Sequence, residues 1–306
     1  MPRHITFAFP GQGSQYSGML NHFSDEFLNI YKDTVSKALD FDLIDLIANG
    51  DEKDLNKTSI TQPAILLASY LEFKFITENY NIKPDIVCGH SLGEYSALLA
   101  AECLAFEDAL QLVYKRGLFM ERAEKGSMYA ILNTDIGIIN DCCLRASSAT
   151  NSIVSLANIN SPKQVVISGA NNAVELAVNY LKENGARKCI KLKVTISSHC
   201  ELMVNAADDL SSFIKNVSFS MPKYELIHNV DSNSAKDIDD LKERMILQLT
   251  KPVQWVDTMN YIDKYNGAFI ECGPSKVLSG LAKANNIDNI YSTSSSNFVN
   301  EIKELI

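Results

Sequence analysis

Apolar positions fall into two rhythms along this chain: short runs that fit strands, and longer stretches recurring about every three to four residues that fit helices. The first run, Ile5-Thr-Phe-Ala-Phe9, reads as a strand. It ends in Pro10-Gly-Gln-Gly-Ser-Gln15, a loop that is neither a phosphate loop, for want of a following Gly-Lys, nor a dinucleotide fingerprint, because its third glycine is misplaced. Helical patterns follow from Met19 to Ala38 and from Gln62 to Thr77, where Ile65, Leu66, Ala68, Ser69, Leu71 and Phe75 predict a heavily buried helix. An apolar strand leads from Pro84 to Gly89, a helix follows it directly, and another spans Phe106 to Ala123. Strands alternating with helices predict a mainly parallel sheet.

The texture changes at Gly126. From there the order is strand (128–132), helix (135–146), strand (153–157), strand (164–168), helix (173–184), strand (189–194). That βαββαβ order is the ferredoxin-like split unit, here an insertion. After Thr195 the chain is expected to return to the larger unit, with helices over 202–215 and 237–249 and strands over 224–229 and 268–271, before a polar run, Ser292 to Asn297, and a short helical end.

The 306 residues, nearly half of them hydrophobic, suffice for a large core. No apolar run reaches about eighteen residues, and no charged segment with a cleavage site precedes Ile5, so neither a membrane span nor a signal peptide is expected. The seven cysteines are odd in number and scattered in apolar surroundings, which fits core filling in a reducing cytoplasm and no metal site. A net charge of −9 argues against nucleic acid as a partner. Arg187, Lys188, Lys191 and Lys193 form a local exception, readable as a protected edge strand or as a patch that steers an acidic partner.

The strongest chemical signal is Gly89-His-Ser91-Leu-Gly93 between a strand and a helix. That is the grammar of a nucleophile elbow, which exposes the serine hydroxyl and aims free N–H groups of the new helix at an oxyanion. The serine needs a base, and five histidines are available. His4 and His22 read as surface residues, His228 as a core histidine in a strand, and His90 as a neighbour whose ring leaves the elbow in another direction. His199 remains, where the chain re-enters the larger unit. Arg116 lies on or beside the apolar stripe Ala109, Val113, Gly117, Met120, where it requires an anion. A structural Asp or Glu and a substrate carboxylate both remain open.

Phe9-Pro-Gly-Gln-Gly-Ser-Gln15, Thr61-Gln-Pro-Ala64, Gly89-His-Ser-Leu-Gly-Glu-Tyr95, Lys115-Arg-Gly117, Ala157-Asn-Ile-Asn-Ser161 with its continuation to Gly169, Ser198-His-Cys200, Gln248 to Trp255 and Glu271-Cys-Gly-Pro274 stand in an order and spacing that resemble the malonyl-CoA:acyl carrier protein transacylases. The resemblance runs from the first strand to about Ala284. With the element order, it implies an α/β fold: an α/β-hydrolase-like large subdomain with a mainly parallel sheet (1–125 and 195–306) and an inserted ferredoxin-like βαββαβ small subdomain (126–194). It implies that Ser91 is acylated, that His199 is its base, and that the backbone carbonyl of Gln248 orients His199. The N–H groups of Gln12 and Leu92 would form the oxyanion hole, Arg116 would hold the malonyl carboxylate, and Gln62, His90, Asn158 and Asn160 would line the cleft.

The implied substrates are malonyl-CoA and the phosphopantetheine thiol of acyl carrier protein, with no cofactor, in a cytoplasmic monomer that supplies fatty acid biosynthesis. The sequence departs from the family pattern in Gly273-Pro-Ser275, in Tyr129, and in Ile196-Ser-Ser-His199, none of which touches the catalytic set. Alternatives are a discrete malonyl transferase serving a polyketide synthase, an acyl hydrolase on the same scaffold, and a non-catalytic carrier-protein docking module, which the intact Ser91, His199 and Arg116 disfavour.

Overall fold

The computed structural model describes residues 4–194 and 196–303; Thr195, where the return to the larger unit was expected, lies outside them, as does the tail beyond 303. Nine strands form two sheets among the described residues. They are β1 (Ile5–Phe9), β2 (Ile86–Gly89), β3 (Ser127–Leu132), β4 (Val154–Ser161), β5 (Gln164–Gly169), β6 (Lys188–Lys191), β7 (Glu225–Ile227), β8 (Ala268–Glu271) and β9 (Ile290–Ser292). The larger sheet is parallel throughout, in the order β7-β2-β1-β8-β9. β2 and β8 are buried at every position, as expected of central strands covered by helices on both faces, which read as continuous apolar runs.

The smaller sheet is antiparallel, in the order β4-β5-β3-β6, which is the ferredoxin-like arrangement. Helices Ile136–Thr150 and Asn171–Glu183 pack on one face of it around Ile131, Ile167 and Val174. Its other face carries Met128, Ala130, Ala157 and Val166 toward the cleft. β6 is an edge strand, and Arg187, Lys188, Lys191 and Lys193 are all exposed along it.

Helix Thr58–Tyr80 runs through the main core beside Phe106–Arg122. The helix expected from Met19 begins only at Asp25, where the Ser24 hydroxyl accepts from the Phe27 N–H and two acidic residues fill the first turn. β9 and the helices Leu43–Asn49, Glu52–Leu55, Gly93–Ala100, Val204–Ile214, Ile238–Leu247, Trp255–Asp263, Val277–Ala284 and Phe298–Ile302 also belong to the larger unit. β4 is tied to it where the Ile159 N–H donates to the Val253 carbonyl and the Val253 N–H to that of Ala157. This seam brings the loop after Gln248 against the inserted sheet.

Candidate active site

Ser91 sits at the C-terminal end of β2, in the crevice where open parallel sheets bind their ligands. Its φ of 52° is in the left-handed region, a strained conformation for a residue with a side chain. Both flanking glycines are required by space. A Cβ on Gly89 would lie 2.0 Å from the Gly93 carbonyl carbon, and one on Gly93 would lie 1.9 Å from the Phe9 carbonyl oxygen. The elbow is therefore wedged between its own helix, Gly93–Ala100, and the end of β1.

His199 arrives from the chain re-entering the larger unit, also with a left-handed φ of 62°. Its Nε2 lies 2.8 Å from Ser91 Oγ, and its Nδ1 lies 2.7 Å from the Gln248 carbonyl oxygen. That carbonyl accepts only, so Nδ1 carries the proton and Nε2 presents a lone pair to the serine. Burial first, and the Arg116 charge second, lower the His199 pKa to about 3, so the imidazole is neutral near pH 7.

A cavity of about 380 Å³ opens over the pair, with Gly11, Gln12, Leu92, Arg116, Met120, Asn158 and Asn160 in its wall. Arg116 is 1% exposed. Its Nη1 donates to Gln62 Oε1 at 2.8 Å and its Nη2 to Gln248 Oε1 at 2.9 Å, and it lies 5.0 Å from the centre of the Tyr95 ring. No Asp or Glu pairs with it among the described residues, so of the two anions left open by the sequence, the structural carboxylate is absent. Amide oxygens hold the guanidinium in place without neutralising it.

The remaining expected residues also gather here. Gln62 is buried at the head of the guanidinium, and Gln12 and Leu92 flank the serine in the cavity wall. His90 points away from the serine: its Nε2 meets Asn160 Oδ1 at 2.8 Å, its ring packs edge-on against Trp255, and burial lowers its pKa. His228 is a core histidine, with Nδ1 2.6 Å from Glu94 Oε1. His22 is exposed and bonds to Glu72 at 2.8 Å.

Three contributions escaped the sequence reading. The Asn229 side chain accepts from the Ser91 N–H at 2.7 Å and donates to the Gly89 carbonyl at 2.6 Å, stapling the elbow from β7's end. The Gln248 amide, beyond its backbone carbonyl, donates from Nε2 to the Ser91 carbonyl at 2.9 Å and to Glu94 Oε2 at 2.6 Å. Glu94 itself is fully buried. Its one sequence signal was a charge directly before the largely apolar stretch Tyr95-Ser-Ala-Leu-Leu-Ala100.

A serine on a strained elbow, a neutral histidine bonded to it, and a buried cation facing the same cavity define a class: serine–histidine enzymes of acyl chemistry on an α/β-hydrolase-like sheet. The acyl transferase domain family matches residues 6–292, and the chain belongs to that family; it is an acyltransferase. It is 39% identical over 290 residues to the malonyl CoA-acyl carrier protein transacylase of Haemophilus influenzae, covering 92% of both chains. It superposes on the solved malonyl CoA-acyl carrier protein transacylase of Coxiella burnetii with a TM-score of 0.94 at 38% identity, covering 100% of this chain and 98% of that one. A malonyl-transacylase solved in complex with a type II polyketide acyl-carrier protein is similar too, with a TM-score of 0.93 at 34% identity and coverage of 98% and 99%.

Proposed function

We propose that the chain moves the malonyl group from malonyl-CoA to the phosphopantetheine thiol of acyl carrier protein, through a malonyl ester on Ser91, to supply fatty acid biosynthesis. Neutral His199 accepts the Ser91 proton as Oγ attacks the thioester carbonyl. The electron pair moves onto the carbonyl oxygen, which the N–H groups of Gln12 and Leu92 receive. Collapse of this adduct breaks the C–S bond, and His199 returns the proton to the departing CoA sulfur. In the second half-reaction His199 takes the proton of the carrier thiol, sulfur attacks the ester carbonyl, the bond from that carbon to Ser91 Oγ breaks, and His199 returns the proton to Oγ.

The observation that carries this reading is Arg116, a buried cation held by two neutral amide oxygens and open to the cavity. Leaving one partner of a desolvated charge pair alone costs ~2–5 kcal/mol, whereas an extra methylene in a pocket decides only ~1–3 kcal/mol. Arg116 therefore separates malonyl from acetyl groups, and the shape of the apolar wall must separate malonyl from methylmalonyl. The reading takes the protein as a cytoplasmic monomer without a cofactor. His90, Asn158 and Asn160 line the cleft, and Gln62, expected there too, stands buried behind Arg116. It divides the chain at 126–194, whose inserted sheet forms one wall of that cleft. A polyketide carrier as acceptor would use the same residues, and rates on a panel of carrier proteins distinguish the two.

Intact mass after mixing the protein with malonyl-CoA and acetyl-CoA tests the proposal. The parent protein should gain one malonyl group and pass it to holo carrier protein. Ser91→Ala should gain none, and Arg116→Ala should lose malonyl loading while keeping acetyl loading. A malonyl mass gain on Ser91→Ala, or malonyl preference retained in Arg116→Ala, contradicts the assignment.

A further inference from the structure

Gln248 touches all three groups of the proposed mechanism: its backbone carbonyl accepts from His199 Nδ1–H, its Nε2 donates to the Ser91 carbonyl, and its Oε1 accepts from Arg116. These contacts require one orientation of the amide, because a flip would turn an NH2 group toward a guanidinium that has only donors. Something must hold the other end. That end faces Glu94 Oε2 at 2.6 Å, inside a fully buried pocket.

Both oxygens of Glu94 are engaged in this pocket. The Asn229 N–H reaches Oε2 at 3.1 Å, and His228 Nδ1 reaches Oε1 at 2.6 Å. Glu94 sits one turn beyond Ser91, on the same helix that the elbow opens. Glu94 cannot reach substrate, since the Gln248 amide stands between it and Arg116.

We propose that Glu94 is a positioning residue: by accepting from Gln248 Nε2, it turns the amide oxygen toward Arg116 and so keeps the guanidinium aimed into the cavity. This rests on the functional reading above. Charge is not what the arrangement needs at Oε2; an acceptor is. Glu94→Gln preserves one acceptor there if its NH2 takes the Oε1 place and His228 adopts the other tautomer. Glu94→Met removes it. The His199–Gln248 backbone contact depends on the helix Ile238–Leu247 rather than on the amide, because the Gln248 N–H is held by the Arg244 carbonyl. Loss of Glu94 should therefore disturb anion binding more than the dyad.

The test measures KM for malonyl-CoA together with the rate at which Ser91 is labelled by a neutral fluorophosphonate, which needs the dyad but not Arg116. In Glu94→Met the malonyl KM should rise at least about tenfold, as expected for losing a hydrogen bond to a charged group, while labelling slows less than about threefold. Glu94→Gln should recover most of the malonyl KM. Gln248→Met, which keeps the backbone carbonyl and the side-chain volume, should raise the malonyl KM by a comparable factor, and combining it with Glu94→Met should raise that KM no further. An unchanged malonyl KM in Gln248→Met overturns the proposal even where Glu94→Met does not fold. Parallel loss of KM and labelling, or failure of Glu94→Gln to recover, overturns it as well. If the parent protein is not labelled at Ser91, the functional reading fails, and the role of Glu94 falls with it.

Discussion

A neutral imidazole buried beside a guanidinium is a reluctant base, because the proton it takes must sit near a cation in a medium with little water to screen either. His199 and Arg116 stand in that relation, and the Arg116 charge is the second cause, after burial, of the lowered His199 pKa. The hydrogen bond to the Gln248 carbonyl works in the opposite direction, and His90 adds a smaller lowering. Two consequences follow for pH. Because the folded pKa is depressed below the ordinary histidine value, the neutral base persists as pH falls, and the acid limb of Ser91 labelling by a fluorophosphonate should lie well below pH 6.5. Removing the Arg116 charge removes one lowering cause, so in Arg116→Met the limb should move upward toward the ordinary value. A parent limb at 6.5, or a limb unmoved by the substitution, would show that the guanidinium does not set the base. A malonyl carboxylate on Arg116 should act in the same sense as the substitution, strengthening His199 while the correct acyl group is bound.

At the scale of elements, the cavity wall depends on a cap that joins the end of β8 to a helix. Glu271 is fully buried in that strand; Oε1 accepts from the Leu278 N–H at 2.9 Å, and Oε2 from the Ser279 N–H at 2.6 Å and hydroxyl at 2.7 Å. The two N–H groups belong to the first turn of helix Val277–Ala284, where they have no partner within the helix, and its Val277, Leu278 and Leu281 line the cleft. Glu271→Gln leaves one acceptor for three donors and should cost about 1–2 kcal/mol, read as a lower urea midpoint. An unchanged midpoint would mean that water satisfies the helix end. Neither this helix nor β9 was legible in the sequence. Ser279 and Gly280 dilute the helical pattern, β9 has three residues and runs into a polar stretch, and the cap is a tertiary contact. Other boundaries moved too: the helix expected from Gln62 begins four residues earlier, at Thr58, with Pro63 inside it. The strands other than β9 were legible from short runs or alternations of apolar residues between turn signals. At the site, Ser91, His199 and Arg116 were legible as residue types in a motif series. The Gln248–Glu94 contact, closed across 154 positions, leaves no trace in any local pattern.

The whole molecule presents an electrostatic problem to its proposed substrate. A chain of net charge −9 repels an anion at long range, so capture of a carboxylate must come from charge placed where water is excluded. Arg116 is that charge, fully enclosed between the parallel sheet's helices and the inserted sheet, with Lys193 exposed at the cavity's edge. A buried cation without a counter-ion burdens the fold, and an anion that binds there should relieve it and stabilise the native state by mass action. Free malonate, which cannot be turned over, isolates this contribution. At a hundred times its dissociation constant it should add about 2.7 kcal/mol, read as a rise in the thermal midpoint. Acetate at matched ionic strength has one carboxylate and no second group to fill the place of the thioester, so its effect should be smaller. The difference should vanish in Arg116→Met. If malonate raised the midpoint equally in that variant, its stabilising effect would be a general one of salt on an acidic protein, and the selectivity for a carboxylated acyl group would have to come from elsewhere in the cavity.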